Sequence, residues 1–223
     1  MDKRLLGQAI AKFVSGFVLV GLLLFVPAGT LNFPRAWILM GILFVPMFAA
    51  GLVMVKKSPE LLRKRLNVKE QESEQKSVIL ASGLMFIASF VIAGLNERFG
   101  WIRMPMWVSV IFAGVFLAGY ALFAEVLREN AFLSRTVEVQ KDQTVVDTGL
   151  YGIVRHPMYM STLLMFLSMP LVLGSPISFL VSLLYIPIIS RRIRNEEAVL
   201  EEGLKGYSEY KKKVKFKVIP YVW

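Results

Sequence analysis

Long apolar blocks separated by short charged stretches run through this chain, and inside the blocks apolar and polar residues do not alternate. Four blocks, about Ile10–Leu31, Ala36–Val55, Ser77–Leu95 and Pro105–Leu127, come close to the roughly 20 residues a helix needs to cross a bilayer. Two shorter blocks follow, Met158–Gly174 and Pro176–Ser190, parted by the turn signal Gly174-Ser175-Pro176. They predict a short helical hairpin that crosses and returns. Strands are excluded, because an open sheet leaves its backbone unsatisfied in lipid and the runs are too long and too even for barrel strands. The expected fold is all-α: a polytopic transmembrane bundle of about six spans. Pro46, Pro170 and Pro187 fall inside spans and predict kinks.

Composition agrees with this class. Of 223 residues, 56% are hydrophobic and the mean hydropathy is +0.58, above the ~45–50% apolar content of soluble domains. There is no cysteine, so disulfides, thiol nucleophiles and thiolate metal sites are excluded. A single histidine cannot build a multi-histidine zinc centre, so no metal is expected.

The net charge of +10 would raise nucleic acid as a partner in a soluble protein. Here the basic residues sit beside apolar blocks, in Lys56–Lys76 and Lys205–Lys217, which points to anionic lipid heads and not to nucleic acid. Lys56, Lys57, Arg63, Lys64, Arg65, Lys69 and Lys76 fill one connection; Arg128, Arg135, Lys141 and Arg155 fill another. Leu31–Arg35, Asn96–Met104 and the Gly174 turn carry few charges. Six spans place every basic loop and both termini on one side, expected to be cytoplasmic. Asp2-Lys3-Arg4 before an apolar block mimics a secretory signal, but the block is long for one and no small-x-small site follows, so a retained first helix is expected. Lack of cysteine and of a eukaryotic retention signal points to a prokaryotic inner membrane.

Three polar stretches share the expected cytoplasmic face. Ser58-Pro59-Glu60 opens a short helix whose Leu61, Leu62 and Leu66 suit either the membrane interface or a solvated connector. Ser134–Gly149 reads as extended or irregular, and a loop of that length is more often functional than idle. From Arg191 the last span continues as a helix leaving the membrane, with Arg192 and Glu196 on one face. Val199, Leu200 and Leu204 supply an apolar stripe, and Tyr207, Tyr210 and Lys211-Lys212-Lys213 follow. Val218–Trp223 is apolar and aromatic, suited to anchoring at the interface or folding back over a site.

The division expected is four helices in residues 1–127 and a chemical region in 128–223. Within the latter, Gly149–Tyr159 concentrates glycine, tyrosine, arginine, proline and the lone His156 at the mouth of an apolar block. Polar groups are costly where water is scarce, so such a cluster needs a ligand or a structural partner. Taken alone, a histidine near a helix start is commonly a structural hydrogen-bonder. Pro157, however, opens a helix whose first-turn N–H groups attract carboxylates. Tyr151 and Tyr159 offer flat faces to a purine or a sulfonium. Glu196-Glu197 could receive an ammonium or ribose hydroxyls, or form surface ion pairs. Arg155 and Arg192 match anionic groups, lipid heads included. Intramembrane charge is nearly absent, Glu125 lying near a span end, which argues against a proton-driven transporter.

Thr-Gly-x-Tyr-x-x-x-Arg-His-Pro-x-Tyr at Thr148–Tyr159 resembles the signature of the isoprenylcysteine carboxyl methyltransferases and the related phospholipid N-methyltransferases. So do Arg-x-x-x-Glu-Glu-x-x-Leu at Arg192–Leu200, Tyr-x-x-Tyr-Lys-Lys at Tyr207–Lys212, and Ile219-Pro220. The resemblance covers the last third of the chain. It implies an integral membrane enzyme that uses S-adenosyl-L-methionine and methylates a lipophilic or lipid-modified acceptor, on oxygen ahead of nitrogen. It places Gln143, Thr144, Val145, Val146, Tyr151, His156, Pro157, Met158, Tyr159 and Glu196 at the cofactor, with Gln140 a weaker candidate. It gives Arg192 to the substrate and makes Arg155 and Arg192 the catalytic pair. Ser161 stands where the pattern has glycine, and Lys205-Gly206 replaces Phe-Gly-x-x. Two other readings compete: an NADPH-dependent sterol-type reductase, which shares an Arg-His-x-x-Tyr ending, and a non-enzymatic scaffold or transporter.

Overall fold

The computed structural model describes residues 3–66, 73–134 and 137–223, and Asp2, Lys69 and Arg135, counted above for charge, lie outside them. All regular structure among the described residues is helical. The order is α1 (Lys3–Ala28), α2 (Pro34–Lys57), α3 (Pro59–Leu66), α4 (Ser73–Phe99) and α5 (Met106–Glu129). An irregular stretch leads to a 3₁₀ turn at Gly149–Gly152, then come α6 (Pro157–Val172), α7 (Pro176–Ser182), α8 (Tyr185–Gly203) and α9 (Tyr207–Lys213). Proline opens α2, α3, α6 and α7, where its missing N–H costs nothing and its fixed φ suits the first turn. Ser175 caps α7 by accepting the Ser178 N–H at 3.3 Å.

Five helical stretches, α1, α2, α4, α5 and the run Pro176–Gly203, are long and apolar enough to cross a membrane. The protein is thus an integral, multi-pass helical bundle. The fifth expected crossing, Met158–Gly174, is shorter than a full one: α6 has 16 residues, a rise of about 24 Å. The kink expected at Pro187 takes the form of a break between α7 and α8 at Leu183-Leu184. Pro187 has no N–H to give the Leu183 carbonyl four residues back, and that carbonyl accepts from Ile186 at 3.1 Å instead.

Two glycines set how closely the helices approach. A Cβ at Gly94 on α4 would lie 2.6 Å from the Leu24 carbonyl of α1. One at Gly119 on α5 would lie 2.8 Å from Met165 and 3.1 Å from the Ser161 carbonyl, both on α6. Around these contacts Leu24, Phe33, Leu39, Phe90, Phe116 and Val172 form the main apolar core. A second cluster joins Met85 of α4, Leu163 of α6 and Ile189 and Ile193 of α8 to Val218. Ser89 of α4 meets Ser178 and Ser182 at 2.7 and 2.9 Å, pinning α7 to α4. Glu125 is paired with exposed Arg128, one turn further on near the end of α5.

The site described next lies at the end of the bundle where α5 and α8 finish and α6 starts. At the opposite end Asn96 closes the connection to α5, donating to the Ile102 carbonyl at 3.0 Å and accepting its N–H at 3.2 Å.

Candidate functional site

The chain enters the site through a turn that favours glycine. Gly149 has φ +53°, and a Cβ there would lie 1.6 Å from the Glu129 carboxylate. That carboxylate, on the last residue of α5, accepts the Leu150 N–H at 3.0 and 3.3 Å. The next residue is held from two sides. Asn130 donates to the Tyr151 hydroxyl at 2.9 Å, and the Tyr210 hydroxyl donates to the Tyr151 carbonyl at 2.7 Å. The 3₁₀ turn is thereby fixed to both α5 and α9.

Arg155 and His156 follow, both buried, and a carboxylate from α8 meets them. Glu197 Oε1 accepts from Arg155 Nε at 2.8 Å and lies 3.2 Å from His156 Nε2. Its other oxygen has Lys211 and Lys217 Nζ at 3.7 Å. Arg155 Nη1 donates to the Val214 and Lys215 carbonyls at 2.6 and 2.8 Å. The backbone N–H groups of Arg155 and His156 donate to the Phe216 and Lys217 carbonyls at 3.0 and 2.8 Å. Three separate pieces of chain, the elbow, α8 and the segment after α9, therefore close on one buried carboxylate. A buried charge is tolerable only when paired and hydrogen-bonded in this way.

One turn away lies the working surface. The Tyr159 hydroxyl, on the first turn of α6, donates to Glu196 and accepts from Arg192 Nε at 3.0 Å. The His156 ring lies over Tyr159, centroids 5.6 Å apart and planes 30° apart. These groups form one wall of a cleft closed by Gln143–Val146 and by Phe132–Ser134, with Leu200, Leu204 and Tyr207 beneath. About 860 Å³ of space lies between the walls, the solvent at its mouth included. Val139 and Val145 of the irregular stretch pack on the Leu204, Tyr207, Tyr210 and Val214 cluster, so that loop is seated against α9. Lys213 holds it from outside through Asp147 at 2.9 Å, and that hydrogen bond keeps the Asp147 carboxyl below its usual range.

The Tyr207 hydroxyl is buried in the cleft wall without a hydrogen-bond partner among the described residues. Burial first, and then the nearby Glu197 and Glu196 charges, push its pKa well up, so it stays a neutral donor. Burial also raises Tyr210. A buried hydroxyl that no protein group accepts from can donate to an acceptor atom of a ligand or of water.

The structure gathers the expected residues as follows. Gln143, Thr144, Val145, Val146, Tyr151, Arg155, His156, Met158, Tyr159, Arg192 and Glu196 all line the cleft. Pro157 does not; it starts α6 and sets the backbone course. Gln140 also stands apart, braced within its own loop by donating its side-chain amide to the Phe132 carbonyl and its backbone N–H to Gln143 Oε1 at 2.8 Å. Two contributors were given no site role from the sequence, Tyr207 as the open donor and Asn130 as the brace of Tyr151; Glu197, read with Glu196 as a receiver of an ammonium or ribose hydroxyls or as a surface ion-pair former, is instead the buried anchor of Arg155 and His156. Glu197 carried a readable signal, because Ile189, Ile193 and Glu197 follow at intervals of four along the buried face of α8.

Comparison with known proteins finds a family match that includes these residues. Residues 109–202 match the model of the isoprenylcysteine carboxyl methyltransferase (ICMT) family. The Delta(14)-sterol reductase TM7SF2 of Mus musculus is 30% identical over 93 residues, 40% of this chain and 22% of that protein. The Delta(14)-sterol reductase of Methylotuvimicrobium alcaliphilum is 23% identical over 135 residues, 54% of this chain and 32% of that protein. The chain thus spans about a fifth to a third of the length of the curated relatives it matches. Among solved structures, the eukaryotic intramembrane Ras methyltransferase ICMT aligns with 96% of this chain and 84% of its own, at 17% identity and a TM-score of 0.49. The family match runs from within α5 into the last turn of α8 and takes in the loop, the elbow and the Arg192–Glu197 turn; over those residues the chain is isoprenylcysteine carboxyl methyltransferase-like.

Proposed function

We infer that the protein is an S-adenosyl-L-methionine-dependent methyltransferase acting on a lipophilic acceptor at the membrane surface. One observation carries this reading: Tyr159 joins Glu196 and Arg192, setting an anionic and a cationic group together in the wall of a cleft at the end of an apolar bundle. The residues present suit the donor. Glu196 matches an ammonium or ribose hydroxyls, the Tyr207 hydroxyl awaits an acceptor atom, and the apolar Val145, Val146 and Leu204 suit a base. Gln143–Val146, Tyr151, His156, Met158, Tyr159 and Glu196 would hold it. When bound, S-adenosyl-L-methionine supplies an electrophilic methyl group on sulfonium.

Such a transfer asks little acid–base help of the protein and much alignment and exclusion of water. The loop seated on α9 closes the cleft against the aqueous side. Arg192 would face the acceptor, its guanidinium suiting an anionic oxygen, which favours O-methyl over N-methyl transfer. Arg155 has a different part. Its Nε and Nη1 are directed to Glu197 and to the Val214 and Lys215 carbonyls, so it acts as a positioning residue for the elbow.

A reductase using NADPH is the second reading, favoured by the names of both curated relatives. The charge of the cleft opposes it. A dinucleotide with an extra phosphate seeks several cations, whereas Glu138 and Glu196 line this cleft beside Arg192, and Arg155 is turned to Glu197. Calorimetry on the purified full chain separates the two. S-adenosyl-L-methionine should bind, and Glu196→Gln should weaken it by about tenfold, the loss of one charge-assisted hydrogen bond of about 1.5 kcal/mol. Binding of NADPH without the methyl donor overturns the assignment.

A further inference from the structure

The segment after α9 touches the cleft and the bundle at once. Its Phe216 and Lys217 carbonyls hold the Arg155 and His156 N–H groups. Its Val218 is fully buried, and Trp223 packs beside it on the cluster built from α4, α6 and α8. Between these fixed points the chain turns tightly. The Trp223 carbonyl accepts the N–H groups of Lys217, Val218 and Ile219 at 3.0, 2.8 and 2.9 Å. Tyr221 sits at φ +62°, a conformation that costs a non-glycine residue and persists only when its surroundings impose it. The outcome is two neighbouring side chains pushed fully outward, Tyr221 at 89% and Val222 at 78% exposure, with Ile219 at 40% beside them.

Two observations say what covers them. The turn rests on α4 and α8, both parts of stretches apolar enough to cross a membrane, so its outer surface continues their lipid-facing flanks. The stretch also carries charge: six lysines stand against the single acid Glu209 within 204–223, and while Lys211, Lys213 and Lys217 face Glu197, Glu201 or Asp147, Lys212 and Lys215 are exposed. Tyrosine and aliphatic side chains next to lysines match the boundary of an anionic bilayer, where rings sit at headgroup level and ammonium groups meet phosphate.

We propose that the 216–223 turn is a bilayer-seated anchor for the elbow. Tyr221 and Val222 enter the headgroup boundary of an anionic membrane while Lys212 and Lys215 rest on its phosphates. Through the Phe216 and Lys217 carbonyls, that seating holds the backbone of Arg155 and His156. The inference stands whichever ligand the cleft takes, because it concerns how the elbow is held.

The absence of cysteine makes the test clean, since one introduced thiol labels one site. The full chain carrying Val222→Cys, labelled with an environment-sensitive nitrobenzoxadiazole dye, is placed in phosphatidylglycerol-containing nanodiscs. Its emission should shift to the blue, and lipids bearing a nitroxide near the headgroup should quench it strongly. The same label at Glu202→Cys, exposed in the last turn of α8 after it has left the apolar run, should show neither. Equal quenching at the two positions overturns the anchor. Lys212→Gln with Lys215→Gln should reduce quenching in phosphatidylglycerol discs and leave it unchanged in phosphatidylcholine discs; an equal effect in both refutes the charge contribution. Finally, Tyr221→Ser with Val222→Ser should speed hydrogen exchange in peptides spanning Arg155 and His156 while the melting temperature holds. Unchanged exchange there overturns the link to the elbow.

Discussion

Where α1 meets α4, the helices touch through bare backbone: Gly94 lies against the Leu24 carbonyl, with Leu24, Phe90 and Ala93 around it. Where α6 meets α8 near the cleft, they touch through charge, Tyr159 on Glu196 and Arg192, and the Arg155–His156 elbow just ahead of α6 on Glu197. Lipid supplies no hydrophobic drive between helices, so the first contact depends on close van der Waals fit. The second gives up easy packing for a set of buried polar groups that must all be satisfied together. The α1–α4 contact tolerates any sequence that is apolar and small in the right place. The cleft tolerates only side chains that complete one another, which is why specific chemistry belongs there.

The largest test of this contrast is Glu197→Ala. It strands Arg155 in a buried setting, and breaking a buried pair costs about 3–5 kcal/mol. Lys211 and Lys217 are partly exposed and can take on water, so the lower end of that range is expected. Thermal unfolding of the detergent-solubilised protein should register it, and binding of the methyl donor should be lost with it. A small change would mean that the elbow is held by the segment after α9 alone. Gly94→Leu probes the apolar side. Forcing α1 from α4 should cost about 1–3 kcal/mol, while donor affinity in the folded fraction stays unchanged. A fall in affinity there would show that the two regions are coupled. The smallest effect on stability, and the most informative, belongs to Tyr207→Phe. Removing an unpartnered hydroxyl should leave the melting temperature level or slightly higher. Ligand affinity should fall by an amount near one hydrogen bond, about 1 kcal/mol. If affinity is untouched, the hydroxyl does not face the ligand.

The bundle was legible because length and unbroken apolarity leave lipid-embedded chain few choices, and Pro59, Pro157 and Pro176 stood at the starts of helical stretches. The short fifth crossing was legible too: the apolar block Met158–Gly174 corresponds to α6, Pro157–Val172, within two residues at each end. At the site, motif residues such as Gln143, Tyr159 and Arg192 could be named together because each sits in a stretch that the resemblance covers, and the resemblance supplied the partners. Asn130 could not. It acts on Tyr151, 21 positions later, through a turn whose geometry depends on Glu129 meeting Gly149, and no local periodicity encodes that meeting. Tyr207 was visible as one of a tyrosine pair, but which of the two hydroxyls stays open depends on Tyr210 reaching the Tyr151 carbonyl.

The bare Cα at position 149 has an implication for how this protein can fail. An added methyl there would strain the φ +53° backbone and push the α5 carboxylate off the Leu150 N–H, while every group lining the cleft remained chemically intact. Silence in this protein need not mean a missing functional group. It can equally come from a backbone that lost its only way around a corner.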